Sequence, residues 1–188
     1  MAAELSGAAV SLLHREWVFE DLLALPDDGY RYEILDGQLI VTPPPSVLHQ
    51  DVIDNLRTVL LGRVPEGWRL KTGVGVRMPR LGPERYVIPD LLATAGPRPE
   101  RYYEPEAVRL VVEVASASTE LRDAGSKKAL YEAHGIPTYL LVDPAARTLT
   151  AWELDGGAYR TAWQMTDDVP GRDLLAGVRL GELTAEPH

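Results

Sequence analysis

The sequence predicts a mixed α/β fold, with a central mixed β-sheet flanked by helices and an N-terminal helix and β-hairpin ahead of it. Three observations carry this expectation. Residues 108–115 hold the nearly unbroken apolar run Leu110-Val111-Val112-Glu113-Val114, the mark of a strand covered on both faces. A helical stretch at 123–134 then leads to a second apolar strand at 138–142, which makes a β-α-β unit with parallel strands. Around that unit, shorter apolar segments are bounded by Gly, Pro and Asp-Gly turns, so the sheet gains antiparallel members. At 188 residues the chain suits one domain. We expect it over 17–188, after a flexible N-terminal segment at 1–16.

Taken in order, 17–25 is a short amphipathic helix with Trp17, Leu22, Leu23 and Leu25 apolar, stopped by Pro26-Asp27-Asp28-Gly29. Residues 30–41 form a β-hairpin, because Asp36-Gly37 supplies the two positions at which a tight hairpin turn needs positive φ. Pro43-Pro44-Pro45 has no ladder donors and is an extended connection, and Ser46 is placed to cap the next helix. In that helix, 47–61, Val47, Leu48, Val52, Ile53, Leu56, Val59 and Leu60 recur at helical spacing. Residues 69–78 and 85–93 read as two strands joined by a turn containing Pro79, Gly82 and Pro83, with Pro89 marking an edge or bulge. The 123–134 helix is ended by Gly135 and then Pro137. Strands at 149–154 and 158–164 complete the set as a hairpin over Asp155-Gly156-Gly157.

Composition narrows the function. With 45% hydrophobic and 25% charged residues the chain is an ordinary globular one. The absence of cysteine removes disulfides, thiolate zinc sites, iron–sulfur clusters and a cysteine nucleophile. The N-terminus lacks a basic n-region and no apolar run approaches a membrane span, so a cytoplasmic protein is expected. A net charge of -9 argues against a general nucleic-acid binder, since phosphate binding runs on positive charge. The charge is uneven, however: residues 57–109 carry 10 basic and 6 acidic residues, while both flanking segments are acidic. That basic stretch is either a solvated arginine-rich face or an anion-binding patch.

Several polar residues could carry chemistry. Glu113 sits in a covered strand, where a carboxylate loses hydration worth several kcal/mol unless a cation or donors replace it. A structural ion pair with an arginine is the commoner explanation for such a residue. Asp90 follows Pro89 at a strand end, where a carboxylate can project into a cleft, although Pro-Asp alone is an ordinary turn dipeptide. Asp123, Lys127 and Tyr131 recur every four residues and share a helix face, with Lys128 turned about 100° from Lys127. Only three lysines occur beside sixteen arginines, yet an exposed Asp-Lys pair is the bland reading. His49 and Gln50 lie in the first turn of the 47–61 helix and Glu33 in the first hairpin strand. Each alone is a cap or a local hydrogen-bond partner. Two carboxylates on neighbouring strands with a lysine nearby are, together, what Mg²⁺-assisted phosphodiester hydrolysis needs.

The motifs Tyr32-Glu33-Ile34-Leu35-Asp36-Gly37, Pro44-Pro45-Ser46, His49-Gln50, Pro89-Asp90, Leu110-Val111-Val112-Glu113-Val114 with Ser116-Ala117-Ser118-Thr119, Asp123, Lys127, Tyr131, Gly135-Ile136-Pro137 and Leu141-Val142-Asp143-Pro144 resemble, in order, the bacterial Uma-type family. That family groups putative restriction endonucleases of the PD-(D/E)XK nuclease superfamily. The resemblance runs from about Trp17 to Trp163 and implies a restriction-endonuclease-like fold with Asp90 and Glu113 as ligands of Mg²⁺ or Mn²⁺. It also shows a departure, because the superfamily lysine two residues after the acidic residue is replaced here by Ala115. The family's lysine lies on the following helix and maps to Lys127, with Lys128 as the alternative. Glu33 and Gln50 match a second tier of catalytic positions, and His49 a position for phosphate or water.

On this reading Arg69, Lys71, Arg77, Arg80 and Arg85 lie on the two strands and the turn leading to Asp90, where a phosphate backbone could track. The activity implied is metal-dependent cleavage of DNA. A homodimer follows by analogy, since cutting both strands needs two sites. The alternatives are an inactive member that binds nucleic acid or a protein partner, and a hydrolase of small phosphorylated compounds.

Overall fold

A computed structural model describes residues 16–78, 82–115 and 123–186. Most of the 1–16 segment expected to be flexible, together with Pro79, Arg80 and the Ser116-Ala117-Ser118-Thr119 motif, lies outside the described residues. The described chain forms two compact units, one drawn from residues before Pro45 and between Arg77 and Ile88, the other from 45–76 and from Pro89 onward.

The first unit is built on the hairpin. Strands β1 (Arg31–Leu35) and β2 (Gln38–Thr42) pair antiparallel, with Leu35 opposite Gln38. Asp36 (φ 50°) and Gly37 (φ 74°) both take the left-handed conformation of a two-residue turn, as their identities demand. With β4 (Val76–Arg77) and β5 (Tyr86–Val87) the hairpin makes a four-stranded sheet in the order β2-β1-β5-β4. Helix α1 is only Phe19–Leu22, shorter than the expected 17–25. Beyond it Ala24 and Leu25 donate to the carbonyls three residues back, a tighter winding, and then comes Pro26, a residue type that disfavours helical ψ in the position before it. Phe19 is held against Tyr86, ring centroids 4.9 Å apart, and its N–H donates to Glu84 Oε2 at 2.8 Å.

The second unit holds a six-stranded sheet in the order β10-β9-β8-β7-β6-β3. Its strands are β3 (Arg69–Lys71), β6 (Leu91–Thr94), β7 (Val108–Val114), β8 (Thr138–Asp143), β9 (Thr148–Asp155) and β10 (Ala158–Met165). Only β7 and β8 run parallel, linked by helix α3 (Asp123–Ala133) as the β-α-β pattern predicts; the other pairs are antiparallel.

Both expected strands 69–78 and 85–93 are divided. The first breaks at 72–75, where Gly73 is at φ 64°, and its halves join different sheets as β3 and β4. The second breaks at Ile88-Pro89-Asp90, and its halves become β5 and β6. Glycine and proline release the ladder at these points, the first through its backbone freedom and the second by lacking an N–H.

Helix α2 (Val47–Leu61) starts where expected, with Ser46 Oγ accepting from the His49 N–H at 3.3 Å. It buries Val52, Ile53, Leu56 and Leu60 against the sheet face formed by Leu91, Leu110, Val112, Val114, Leu140, Val142, Leu149 and Ala151. The same core takes Leu175 of a 3₁₀ turn (Asp173–Leu175) and Leu180 and Leu183 of helix α4 (Leu180–Thr184), elements too short to leave a periodic signal in the sequence. Asn55 fixes α4 by donating to the carbonyls of Leu183 (3.1 Å) and Ala185 (2.8 Å). The opposite face of the sheet carries Val111, Glu113, Tyr139 and Trp152, and α3 lies against its β8 and β10 strands. Among the described residues no helix is long and apolar enough to cross a membrane.

Candidate active site

Asp90 and Glu113 come together because β6 and β7 are neighbours. The register that pairs Leu91 with Val112 brings Asp90 level with Glu113. Asp90 is buried, and its Oδ2 accepts from the Val114 N–H at 2.8 Å. Its carboxylate thereby takes over a strand donor at the point where Pro89 stops the ladder. The same oxygen lies 3.2 Å from His49 Nε2, so the first turn of α2 is tied to the start of β6. The other ring nitrogen, Nδ1, is buried and has no hydrogen-bond partner among the described residues.

Glu113 is met from α3. Lys127 Nζ is 3.3 Å from Glu113 Oε1, and Tyr131 donates its hydroxyl to the same oxygen at 2.5 Å. All three side chains are buried, Glu113 at 8%, Lys127 at 6% and Tyr131 at 0% exposure. Their meeting follows from the helix repeat, since positions 127 and 131 face the same way one turn apart. The ion pair expected for a carboxylate in a covered strand is therefore formed with lysine. Lys128 points elsewhere, its ammonium 4.3 Å from the centre of the Trp152 ring, a cation–π contact.

Tyr139 adds a further polar atom on this face. It is one step across the sheet from Val111, its ring packs 5.6 Å from that of Tyr131, and it is fully buried. Its hydroxyl has no hydrogen-bond partner among the described residues. Burial first, and then the charge of Glu113, hold this phenol far above its usual range.

The remaining expected positions fall elsewhere. Gln50 is exposed and donates to Asp54 Oδ1 at 3.3 Å. Glu33 is buried in the first unit, where its Oε1 accepts from the Ile88 N–H at 2.7 Å. Of the basic residues, Arg69 donates to the Gly96 carbonyl at 2.6 Å and Lys71 ends β3, both in the second unit. Arg77 and Arg85 belong to the first unit, paired with Glu84 and Glu20 and with Asp36 respectively. Arg80 lies outside the described residues. Sequence reasoning missed the hydroxyl of Tyr131 as a donor to Glu113. The spacing of Tyr131 from Lys127 was a usable signal.

Asp90 and Glu113 could hold a hard cation. Two carboxylates suit Mg²⁺, which takes one or two such ligands and completes its shell with water and phosphate oxygens. Among the described residues no group of three or more His, Cys, Asp or Glu side chains could hold a metal ion.

The architecture is a mixed α/β fold in which buried acidic residues on adjacent strands meet a lysine delivered from the crossover helix. The family model described as Uma2, putative restriction endonuclease, matches residues 19–185, and the chain belongs to that family. The crystal structure of a putative nuclease of the DUF820 group from Anabaena variabilis is similar, with a TM-score of 0.67 at 17% identity over 88% of this chain and 96% of that one. It shares the fold. No curated protein matches.

Proposed function

We propose that this chain is a divalent-metal-dependent endonuclease that hydrolyses DNA phosphodiester bonds, with Asp90 and Glu113 as ligands of Mg²⁺ or Mn²⁺ and Lys127 as the residue that positions the attacking water. The observation that carries the reading is a buried ammonium held 3.3 Å from a buried carboxylate, beside a second buried carboxylate on the next strand. A bound divalent ion would offset the negative charge that builds up on the phosphorus centre and lower the pKa of a coordinated water. The chain's own groups do the rest. Tyr131 and Lys127 fix the direction of the Glu113 carboxylate, while the Val114 N–H and His49 fix that of Asp90. Lys127 supplies a compact cation close enough to orient a water, a task suited to lysine because its charge is a single point. Arg69 and Lys71 enter as phosphate contacts. Cutting both strands would use two copies of the chain, hence a homodimer.

Purified protein should nick or cut plasmid DNA only with added Mg²⁺ or Mn²⁺. Asp90→Asn, Glu113→Gln and Lys127→Ala should each lower cleavage by about a hundredfold or more, in line with loss of a charged catalytic group, and keep the far-UV spectrum of the parent. Undiminished cleavage by the Asp90 variant would remove the mechanism. Absence of Mg²⁺ binding at millimolar concentration by calorimetry, with DNA binding retained, would favour an inactive member of the fold.

A further inference from the structure

A strand at the rim of a sheet shows a row of unpaired N–H and C=O groups, and folded chains guard such rims with charge, bulges, proline or brevity. Among the described residues three of the four rims are guarded. β3 has three residues and carries Arg69 and Lys71, and β4 has two and ends on Arg77. β10 is eight residues long, but its register with β9 shifts between Thr161 and Trp163 and it carries the exposed Arg160. The Tyr159 N–H, which points away from β9, donates to the Glu132 carboxylate.

β2 is the exception. Its residues Gln38-Leu39-Ile40-Val41-Thr42 include no charge, and its register with β1 has no bulge. The Asp36-Gly37 turn makes Leu35 and Gln38 a hydrogen-bonded pair. Pairs alternate from there, so the N–H and C=O of Leu39 and Val41 point to the open side. Among the described residues none of these groups has a partner. The Val41 side chain beside them is 48% exposed.

We propose that β2 is the contact through which two copies of the chain pair, antiparallel about a two-fold axis at Ile40, joining their hairpin sheets into one. The inference rests on the homodimer part of the proposed function and is independent of metal and of DNA cleavage. A second copy fits because a two-fold interface must be complementary to itself. With the axis at Ile40, Leu39 lies opposite Val41 of the partner subunit, and the outward N–H and C=O of both residues are all used. Ile40 meets Ile40 of the partner subunit as a close pair without hydrogen bonds, Gln38 meets Thr42 of the partner subunit, and no charge meets its like. A charged strand from another protein would find no counter-charge on β2. Pro43 lacks an N–H and ends the ladder after Thr42, and because both copies use the same rim the pairing closes at two.

The test uses sedimentation equilibrium on the full chain, without metal or DNA. The parent should be a dimer at sub-millimolar concentration. Val41→Lys, at an exposed position, should weaken the dimer by about tenfold or more and keep the parental far-UV spectrum, while Thr161→Lys on the β10 rim should leave it at parental strength. Ile40→Cys, in a chain with no other cysteine, should form a disulfide-linked dimer on mild oxidation. The Cα atoms of such a pair lie about 4.5 Å apart, within disulfide reach. A dimer that Val41→Lys leaves at full strength would overturn this inference and leave the homodimer standing, and so would a dimeric Ile40→Cys that does not cross-link. A parent that stays monomeric would overturn both.

Discussion

Glu113 shows what a single charged residue requires in a covered strand. Its carboxylate cannot stay hydrated there, and Lys127 and Tyr131 supply the cation and the hydroxyl that replace water. Removing only one partner of such a pair leaves an uncompensated buried charge. Lys127→Met should therefore destabilise the protein by about 3–5 kcal/mol in urea titration, while the double change Lys127→Met with Glu113→Gln should cost clearly less than Lys127→Met alone. Tyr131→Phe should cost about 1–3 kcal/mol in the same measurement, because Glu113 loses a donor that no solvent can replace. If all three variants unfold at the parental urea concentration, the contacts are not formed in solution.

Among the elements, α2 carries two duties that come from different parts of its sequence. Its apolar stripe anchors the core through Leu56, which is fully buried, and Leu56→Ala should cost about 2–5 kcal/mol by chemical denaturation. Its first turn aims His49 at Asp90, and that turn is started by the Ser46 cap. Ser46→Ala should cost about 1 kcal/mol. The stripe was plain in the sequence because seven apolar residues recur at helical spacing, and so was the cap. Less plain were β3 to β6. There the apolar content suggested two long strands, and what divides them is one left-handed glycine and one proline whose effect on sheet membership has no periodic signature.

For the molecule as a whole, charge and buried phenols set the response to solvent. An acidic chain that binds a phosphate backbone through a few basic residues should lose affinity steeply with salt. We expect DNA binding, measured by fluorescence anisotropy, to fall by at least about tenfold between 50 and 200 mM salt. Tyr139 and Tyr159 both have their phenols pushed upward, chiefly by burial. The unfolded chain ionises these groups near pH 10, so their contribution to stability is complete below that pH and is lost as pH rises above it. Ultraviolet titration should show these two of the eight tyrosines ionising only with unfolding at high pH. At the acid end, Arg147 hydrogen-bonds Asp167 and holds its carboxyl below the usual range. That stabilisation is present above the ordinary aspartate pKa and disappears as pH falls through the lowered one, and because the pair is exposed its effect should be small and erased by salt.

What the amino-acid order determined by itself was local. The hairpin at Asp36-Gly37, the helix from Val47 to Leu61, the β-α-β unit and the family were legible, and Asp90, Glu113 and Lys127 could be singled out as candidates, because turns, caps and helical repeats are encoded within a few positions of one another. The tertiary structure decided which partners those residues meet: Lys127 rather than Lys128 beside Glu113, and His49 and the Val114 N–H beside Asp90. These depend on strand order and register between segments far apart in the chain, and such pairings are chosen by burial of the whole sheet, which no short stretch of sequence contains.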